Sequence, residues 1–423
     1  MSSEKEYILH TFRENFQHKK RKKICLYGTG KHTWELIHEL KDYQIIGVVD
    51  FAYEGTEYNL LTTEEIKKQA DFIVVVARPM LLKKIYMRIR KAIADISVYS
   101  IEGINIEQFL LERNINNCLH EASQFILSAE DKFLYDRSVE KLKALPRQED
   151  GNLLIPDLYT FINIFMAPFF VNLFLWVTQQ AIKKKCDLLL FQARDGYLFQ
   201  KMYSEERSQY NKDLPDAFYF YASRQAVISA VNNSIEWENY RQYLKGFSLD
   251  KYCNIGIYDF GARGTVQYYL EQIMKRKLHG LYYMKLPLEI GSVEVDSYCG
   301  REMNFYQMKT FAQVFYPLLE AFFEAPHGSL KGFDRSGMPI QEEYIGNIHA
   351  QNRIYRATMD YYREYRSMWS EKTAPLISVQ LLDALMEMIR SPQVKLTEEV
   401  RKEFVLKDSF HNETLNFADD ILI

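Results

Sequence analysis

The chain has 423 residues, of which 47% are hydrophobic, 26% charged and 14% aromatic. That composition excludes a disordered chain, a collagen-like fibre and a coiled-coil rod, and at roughly 100–200 residues per domain the length predicts two to four domains. Lys and Arg total 53 against 56 Asp and Glu, a formal charge of −3, so a general basic field is lacking and nucleic acid is not an expected partner.

The N-terminal stretch MSSEKEYILHTFRENFQHKKRKK is charged throughout and lacks the apolar core of a signal peptide. Residues 1–20 read as a polar helix, and the basic run Lys19 to Lys23 as a solvated approach to a strand. From there strand and helix alternate: ICLYG, HTWELIHEL, QIIGVVD, DFIVVVA (71–77), MLLKKIYMRIRKAIAD and ISVYSI. Thr62-Thr63-Glu64-Glu65 has the capping-box spacing that starts a helix before the third strand. Such alternation predicts βαβ units in a doubly wound parallel sheet, a Rossmann-like α/β domain over residues 1–105.

Residues 106–152 read as a charged helical connector, punctuated by Pro146 and Gly151. A second α/β domain is predicted over 153–345. It opens on the apolar run Phe161–Val177, which is shorter than the roughly 20 residues of a membrane span and carries Pro168 near its middle. A buried helix is the expectation; peripheral membrane contact is the alternative. Strands follow at 187–193, 217–223, 254–260 and 278–286. Residues 346–423 read as a helical C-terminal region, with Ile354, Tyr361, Tyr365 and Met368 on one face and PLISVQLLDALMEMI as a further amphipathic helix. The five cysteines, Cys25, Cys118, Cys186, Cys253 and Cys299, are scattered without a Cys-x-x-Cys pair. They predict a reducing, cytoplasmic setting, not a disulfide framework or zinc site.

Two places carry candidate chemistry. In the first domain, Gly28 and Gly30 lie in a turn between strand and helix, where backbone amides and a helix N-terminus face an anion. Asp50 ends the next strand, at the place of a ribose-binding acid. Thr33 stands where the dinucleotide fingerprint has its third glycine. Nucleotide or sugar-nucleotide binding and a plain tight turn are both open readings. Residues 22–104 resemble the small Rossmann-like modules joined to bacterial sugar-modifying and polysaccharide-biosynthesis enzymes.

In the second domain three strands end in polar turns: Ala193-Arg194-Asp195-Gly196, Ser223-Arg224-Gln225, and Asp259-Phe260-Gly261-Ala262-Arg263-Gly264-Thr265. Carboxyl ends of parallel strands are where α/β proteins bind ligands. Arginines there suit a phosphorylated ligand, glycines let amides approach it, and aspartates hold Mg²⁺ or sugar hydroxyls. The bland alternative pairs Arg with Asp and leaves the glycines to turn the chain.

These motifs resemble two families. Asp195-Gly196 and Ser223 match the haloacid dehalogenase superfamily, but Ala193 stands at the nucleophile's position, which implies a degenerate relative that binds a phosphosugar or a partner enzyme. IGIYDFGARGTVQYYLEQI resembles the signature of the type I phosphoribosyltransferases, with Tyr258 where that family has the first of two acids. The stretch from about 155 to 345 resembles, more narrowly, the phosphoribosyl-transfer module of bacterial polysaccharide ribofuranosyltransferases, through FQARDGYLFQKMY, YFYASRQA, YDFGARGTVQ and PLLEAFFEAPHGS.

That resemblance implies transfer of ribose 5-phosphate from phosphoribosyl pyrophosphate (PRPP) to a glycan acceptor, with a lipid-linked acceptor left open, and a separate phosphatase acting afterwards. It implies that Gly261, Ala262, Arg263, Gly264 and Thr265 hold the 5-phosphate, and that Asp259 holds ribose hydroxyls. Mg²⁺, oriented by Asp195, would join Arg194 and Arg224 in neutralising the diphosphate. Glu320 and Glu324, four apart and so on one helix face, are candidate bases. His327 is a candidate for the acceptor side. A sugar-nucleotide-binding regulator acting through Gly28, Gly30 and Asp50 is the remaining alternative.

Overall fold

The computed structural model describes residues 4–403 apart from 54, 56 and 345, together with the backbone of two short strands at Val405–Asp408 and Glu413–Asn416. The first unit runs α1 (Glu4–Phe16), β1 (Lys23–Tyr27), α2 (Lys31–Glu39), β2 (Gln44–Val49), α3 (Thr63–Gln69), β3 (Phe72–Val75), α4 (Leu82–Ala92) and β4 (Ser97–Ser100). Its strands are parallel in the order β2-β1-β3-β4. Side chains alternate across the sheet with the strand period of two. Ile24 and Leu26 of β1 pack with Phe12 and Leu36, whereas Cys25 and Tyr27 pack with Ile66 and Ile89 on the other face. Helices therefore cover both faces, as the βαβ pattern predicts. The predicted polar helix is instead amphipathic: Ile8, Phe12 and Phe16, spaced by four, bury one stripe of α1 against the sheet. The capping box forms as expected, with the Glu65 N–H donating to Thr62 Oγ1 and the Thr62 N–H to the Glu65 carboxylate.

Three helices follow, α5 (Ile106–Glu112), α6 (Ile115–Ser123) and α7 (Ala129–Ala144), then β5 (Leu153–Ile155), α8 (Leu158–Phe161) and α9 (Ala167–Lys183). Alternating elements come next: β6 (Leu188–Gln192), α10 (Tyr197–Gln209), β7 (Asp216–Phe220), α11 (Arg224–Asn232), α12 (Ser234–Lys245), β8 (Ile255–Ala262), α13 (Thr265–Met274), β9 (His279–Lys285) and β10 (Val295–Ser297). The remainder is α14 (Phe311–Val314), α15 (Tyr316–Phe322), the hairpin β11 (Leu330–Phe333) and β12 (Pro339–Gln341), α16 (Ile348–Ser367), α17 (Val379–Glu387), β13 (Val394–Leu396) and α18 (Glu398–Glu403).

The second sheet is parallel with the order β10-β9-β8-β6-β7. Leu188, Leu190, Ile255 and Ile257 face α11 and α13. Leu189, Phe191, Tyr258, Phe260 and Leu281 face a larger core that draws residues from Cys118 to Val400. The helices of the 106–152 and 346–403 stretches thus share one apolar interior with the second sheet. β5 and β13 tie these stretches together as a parallel pair. α16 buries Ile354, Tyr361 and Tyr365 as expected, but Met368 is 56% exposed, because the helix ends at Ser367 and turns it off that face.

The apolar run is interior. α8 and α9 form one continuous 26-residue helix, Leu158–Lys183, long and apolar enough to cross a membrane, yet 89% of its most apolar stretch is buried inside the fold. A single π-turn, Ile162–Met166, precedes Pro168. The wider turn accommodates a ring that would otherwise clash with the carbonyl four residues back.

Candidate active site

In the second sheet the chain passes from β6 outward to β7, then returns to the other side of β6 as β8. The crevice beyond the carboxyl ends of β6 and β8 is therefore the switch point of the topology, the place where doubly wound sheets bind ligands. All three polar strand ends picked out in the sequence converge on it.

At the end of β6 the chain makes a tight turn: the Gly196 N–H donates to the Gln192 carbonyl at 2.7 Å and the Tyr197 N–H to the Arg194 carbonyl at 3.1 Å. A β-carbon on Gly196 would lie 2.7 Å from the Gln192 carbonyl oxygen, so only glycine fits this turn. Asp195 is thereby aimed at β8. The Arg194 guanidinium pairs with Glu324 at 3.3 Å, both half-buried. That pairing is the bland alternative in part, with Glu324 as the carboxylate that Arg194 reaches and Asp195 within its field.

Asp259 sits within β8, as a strand over 254–260 implies. The strand was expected to end at Phe260, but Gly261 and Ala262 pair with Met284 and Lys285 of β9 and carry it two residues further. The expected phosphate loop is thus reduced to Arg263 and Gly264 before α13. Gly264, at φ +84°, makes the left-handed turn into that helix. Arg263 points to the Pro287 carbonyl at 2.9 Å. Thr265 is the first residue of α13, Gly261 backs onto the Tyr316 ring, and nothing is described of the Ala262 side chain.

Asp195 and Asp259 form a coupled acid pair. Burial pushes both carboxyls above the usual range, and for Asp259 the charge of Asp195 adds to it. The Phe260 N–H, which donates to Asp259 Oδ1 at 2.9 Å, and the charge of Arg224 oppose the rise at Asp259, while Arg194 opposes it at Asp195. Two residues to which the sequence assigns no site role lie near this centre. Gln192, 8% exposed, turns its amide toward Asp259, and its Oε1 has no hydrogen-bond partner among the described residues. Tyr258, packed on Phe191 and Phe199 on the other face of β8, is fully buried within the field of the two acids and Glu320, and its hydroxyl is equally unpartnered among the described residues. Buried polar atoms are normally satisfied, so the unpartnered Gln192 Oε1 next to Asp259 is an open acceptor at the strand end.

The other expected residues fall into two kinds. Ser223 caps α11, accepting from the Ala226 N–H and donating to the Leu330 carbonyl at 2.6 Å, so its hydroxyl is structural. Glu320 lies on α15, but Glu324 follows the helix end at Phe322, so the two do not share a helix face as expected. His327 does reach the crevice. Its Nε2 lies 2.6 Å from the Tyr219 hydroxyl, and its Nδ1 lies 2.9 Å from the Gly328 carbonyl and 3.2 Å from the Gln341 amide nitrogen; a proton on Nδ1 suits the carbonyl and leaves Nε2 to accept from Tyr219. Around it stand Tyr221, 5.4 Å away between centroids, and Tyr197, 5.6 Å from Tyr219 and 5.5 Å from Tyr355. The crevice therefore has an acidic floor and an aromatic wall.

No family model matches the chain, and no curated protein matches it.

The first unit's turn is also formed. Gly28 has φ +115°, which a side chain rarely adopts. Asp50 closes on this turn, its Oδ2 lying 3.3 Å from both the backbone N–H and the hydroxyl of Thr29. Gly30 caps α2. The acid expected to face a ribose is engaged by the turn itself.

Proposed function

We propose that the chain is a PRPP-dependent glycosyltransferase that delivers ribose 5-phosphate to a glycan acceptor in bacterial surface-polysaccharide assembly, on the cytoplasmic side. The observation that carries the reading is the buried Asp195–Asp259 pair at the switch point, with the charges of Arg194 and Arg224 acting on it and the N-terminus of α13 six residues on from Asp259. Arginines supply forked donors for a diphosphate, and the α13 amides with the Thr265 hydroxyl suit a 5-phosphate.

The donor set fits Mg²⁺, which takes one or two carboxylates and completes its shell with water and substrate phosphates. Asp195, Asp259 and Gln192 Oε1 would hold it, and when bound it would offset the charge of the departing diphosphate. Arg194 and Arg224 bind and orient that group. The C1–oxygen bond to diphosphate breaks as a bond forms from C1 to the acceptor oxygen, and the acceptor's proton passes to a carboxylate. Glu324, held by Arg194 and facing the crevice, is the base this reading assigns. The tyrosine wall offers ring faces to the acceptor sugar.

Two measurements test this. PRPP with Mg²⁺ raises the melting temperature; a ligand at 100 times its dissociation constant adds about 2.7 kcal/mol. Asp259→Asn and Arg194→Ala remove transfer and leave the fold intact. Wild-type transfer in both variants, or no stabilisation by PRPP, overturns the proposal. A shift with ribose 5-phosphate but no turnover would favour instead a phosphosugar-binding protein, a reading supported by the methyl group of Ala193 in the turn.

A further inference from the structure

A second cavity, of about 130 Å³, lies behind the sheet, where α9, β9, α14 and α17 meet. Three aromatic rings form its wall. Phe169 stands edge-on to Tyr283 at 5.2 Å and to Tyr298 at 6.2 Å, and Tyr283 lies 6.1 Å from Tyr298. Asp383 lines the same cavity, with Gln313 and Cys299.

The polar groups are incompletely used. Tyr283 is 1% exposed, yet its hydroxyl makes no full hydrogen bond among the described residues; its polar neighbour is the Cys299 thiol, a weak partner. Asp383 accepts the Phe311 N–H at 2.6 Å through Oδ1. Burial first, then the charges of Glu387 and Glu121, press its carboxyl up to about 7 against the pull of Arg113. A cation in the cavity would relieve that pressure.

From the ring wall, the acid and the volume we infer that this cavity binds a small organic ammonium ion of the size of choline. Ring faces attract cations, most strongly when water is excluded, and a carboxylate at the same cavity adds direct charge pairing. A cavity of about 150 Å³ holds a benzene-sized molecule, so a compact ammonium is of the right bulk. The site is separate from the crevice but near it: Tyr283 stacks on Phe260, the neighbour of Asp259, at 4.8 Å. The inference does not depend on which reaction the crevice runs.

Calorimetric titration of the whole chain with choline, and with its uncharged isostere 3,3-dimethyl-1-butanol, tests it. Choline is expected to bind in the millimolar range or tighter, and the isostere about tenfold more weakly or not at all, since cation–π and charge pairing of roughly 1–2 kcal/mol are lost. Asp383→Asn keeps an oxygen acceptor for the Phe311 N–H and should weaken choline by a similar factor, with the isostere unchanged. Equal binding of both compounds, no choline binding, or choline binding unaffected in a folded Asp383→Asn protein overturns the inference. If that variant does not fold, the comparison of the two compounds on the wild-type chain decides alone.

Discussion

The Tyr219 hydroxyl stands 2.6 Å from Nε2 of His327, a residue 108 positions later in the chain. With Nδ1 donating to the Gly328 carbonyl, this bond suits a neutral imidazole facing the crevice. Burial, with the charge of Arg194 assisting, holds the imidazole below its ordinary titration range.

Tyr219→Phe is therefore expected to move the His327 titration upward, because the donor that favours the neutral ring is gone. It should cost about 1 kcal/mol at pH 7, the usual worth of one hydrogen bond. The sign of the pH effect follows from linkage. The unfolded chain protonates this histidine at about pH 6.5 and the folded chain only lower, so its stabilising contribution is present above pH 6.5 and lost as pH falls. NMR titration of the histidine ring resonances checks the shift; an unmoved His327 titration would mean that the contact does not set the protonation state.

The acid pair predicts the opposite slope. Asp259, pressed up to about 7, and Asp195, pressed up to about 6, both keep their protons in the folded chain at pH values where the unfolded chain has lost them. Folding stability should fall as pH rises from about 4 to about 7. Asp259→Asn, which keeps an acceptor for the Phe260 N–H, is expected to stabilise the protein at pH 8 by on the order of 1–3 kcal/mol and to do little at pH 4. Denaturant titrations of both proteins at the two pH values decide this, and equal differences at both would exclude the coupling.

A buried ion pair holds α10 to α16. Glu206 and Arg366 are 3% and 1% exposed, with Nε 3.1 Å from Oε1, and the Tyr362 hydroxyl donates to the same carboxylate at 2.7 Å. Arg366→Met leaves Glu206 buried without its charge partner and should cost about 3–5 kcal/mol. Adding Glu206→Gln should recover part of that loss. Urea midpoints for the single and double variants measure it; a double variant as unstable as the sum of both single ones would show that the charges are not coupled.

Local features were the legible ones. The capping box at Thr62 needs only four consecutive residues, and the buried strands at Leu188–Gln192 and His279–Lys285 are short apolar runs bounded by turns. What depends on distant pairing was not legible. β8 runs past Phe260 because β9 offers Met284 and Lys285 as partners, and no spacing in YDFGARG reports that. Glu324 leaves its helix because α15 stops at Phe322, which separates it from Glu320 despite their four-residue spacing. Gln192 gave a weak signal, a polar residue closing an otherwise apolar strand, and Tyr258 was visible only as a missing acid. The convergence of three polar strand ends was foreseeable from their position alone; the tyrosine wall around His327 was not, since Tyr197 and Tyr355 come from α10 and α16 and only Tyr219 and Tyr221 share a strand end.

The β5–β13 pair has a consequence for synthesis. The strand at Leu153–Ile155 waits for a partner at Val394–Leu396, and α6 waits for α17 to cover it. The first unit can close on the ribosome once residues to about 110 have emerged, whereas the interior around the phenylalanine-rich helix, which ends at Lys183, is complete only once Leu396 has been made. A premature stop between α16 and α17 would release a chain whose first unit is native and whose second lacks the strand that pairs with β5 and the helix that covers α6, a ready substrate for chaperones and proteases.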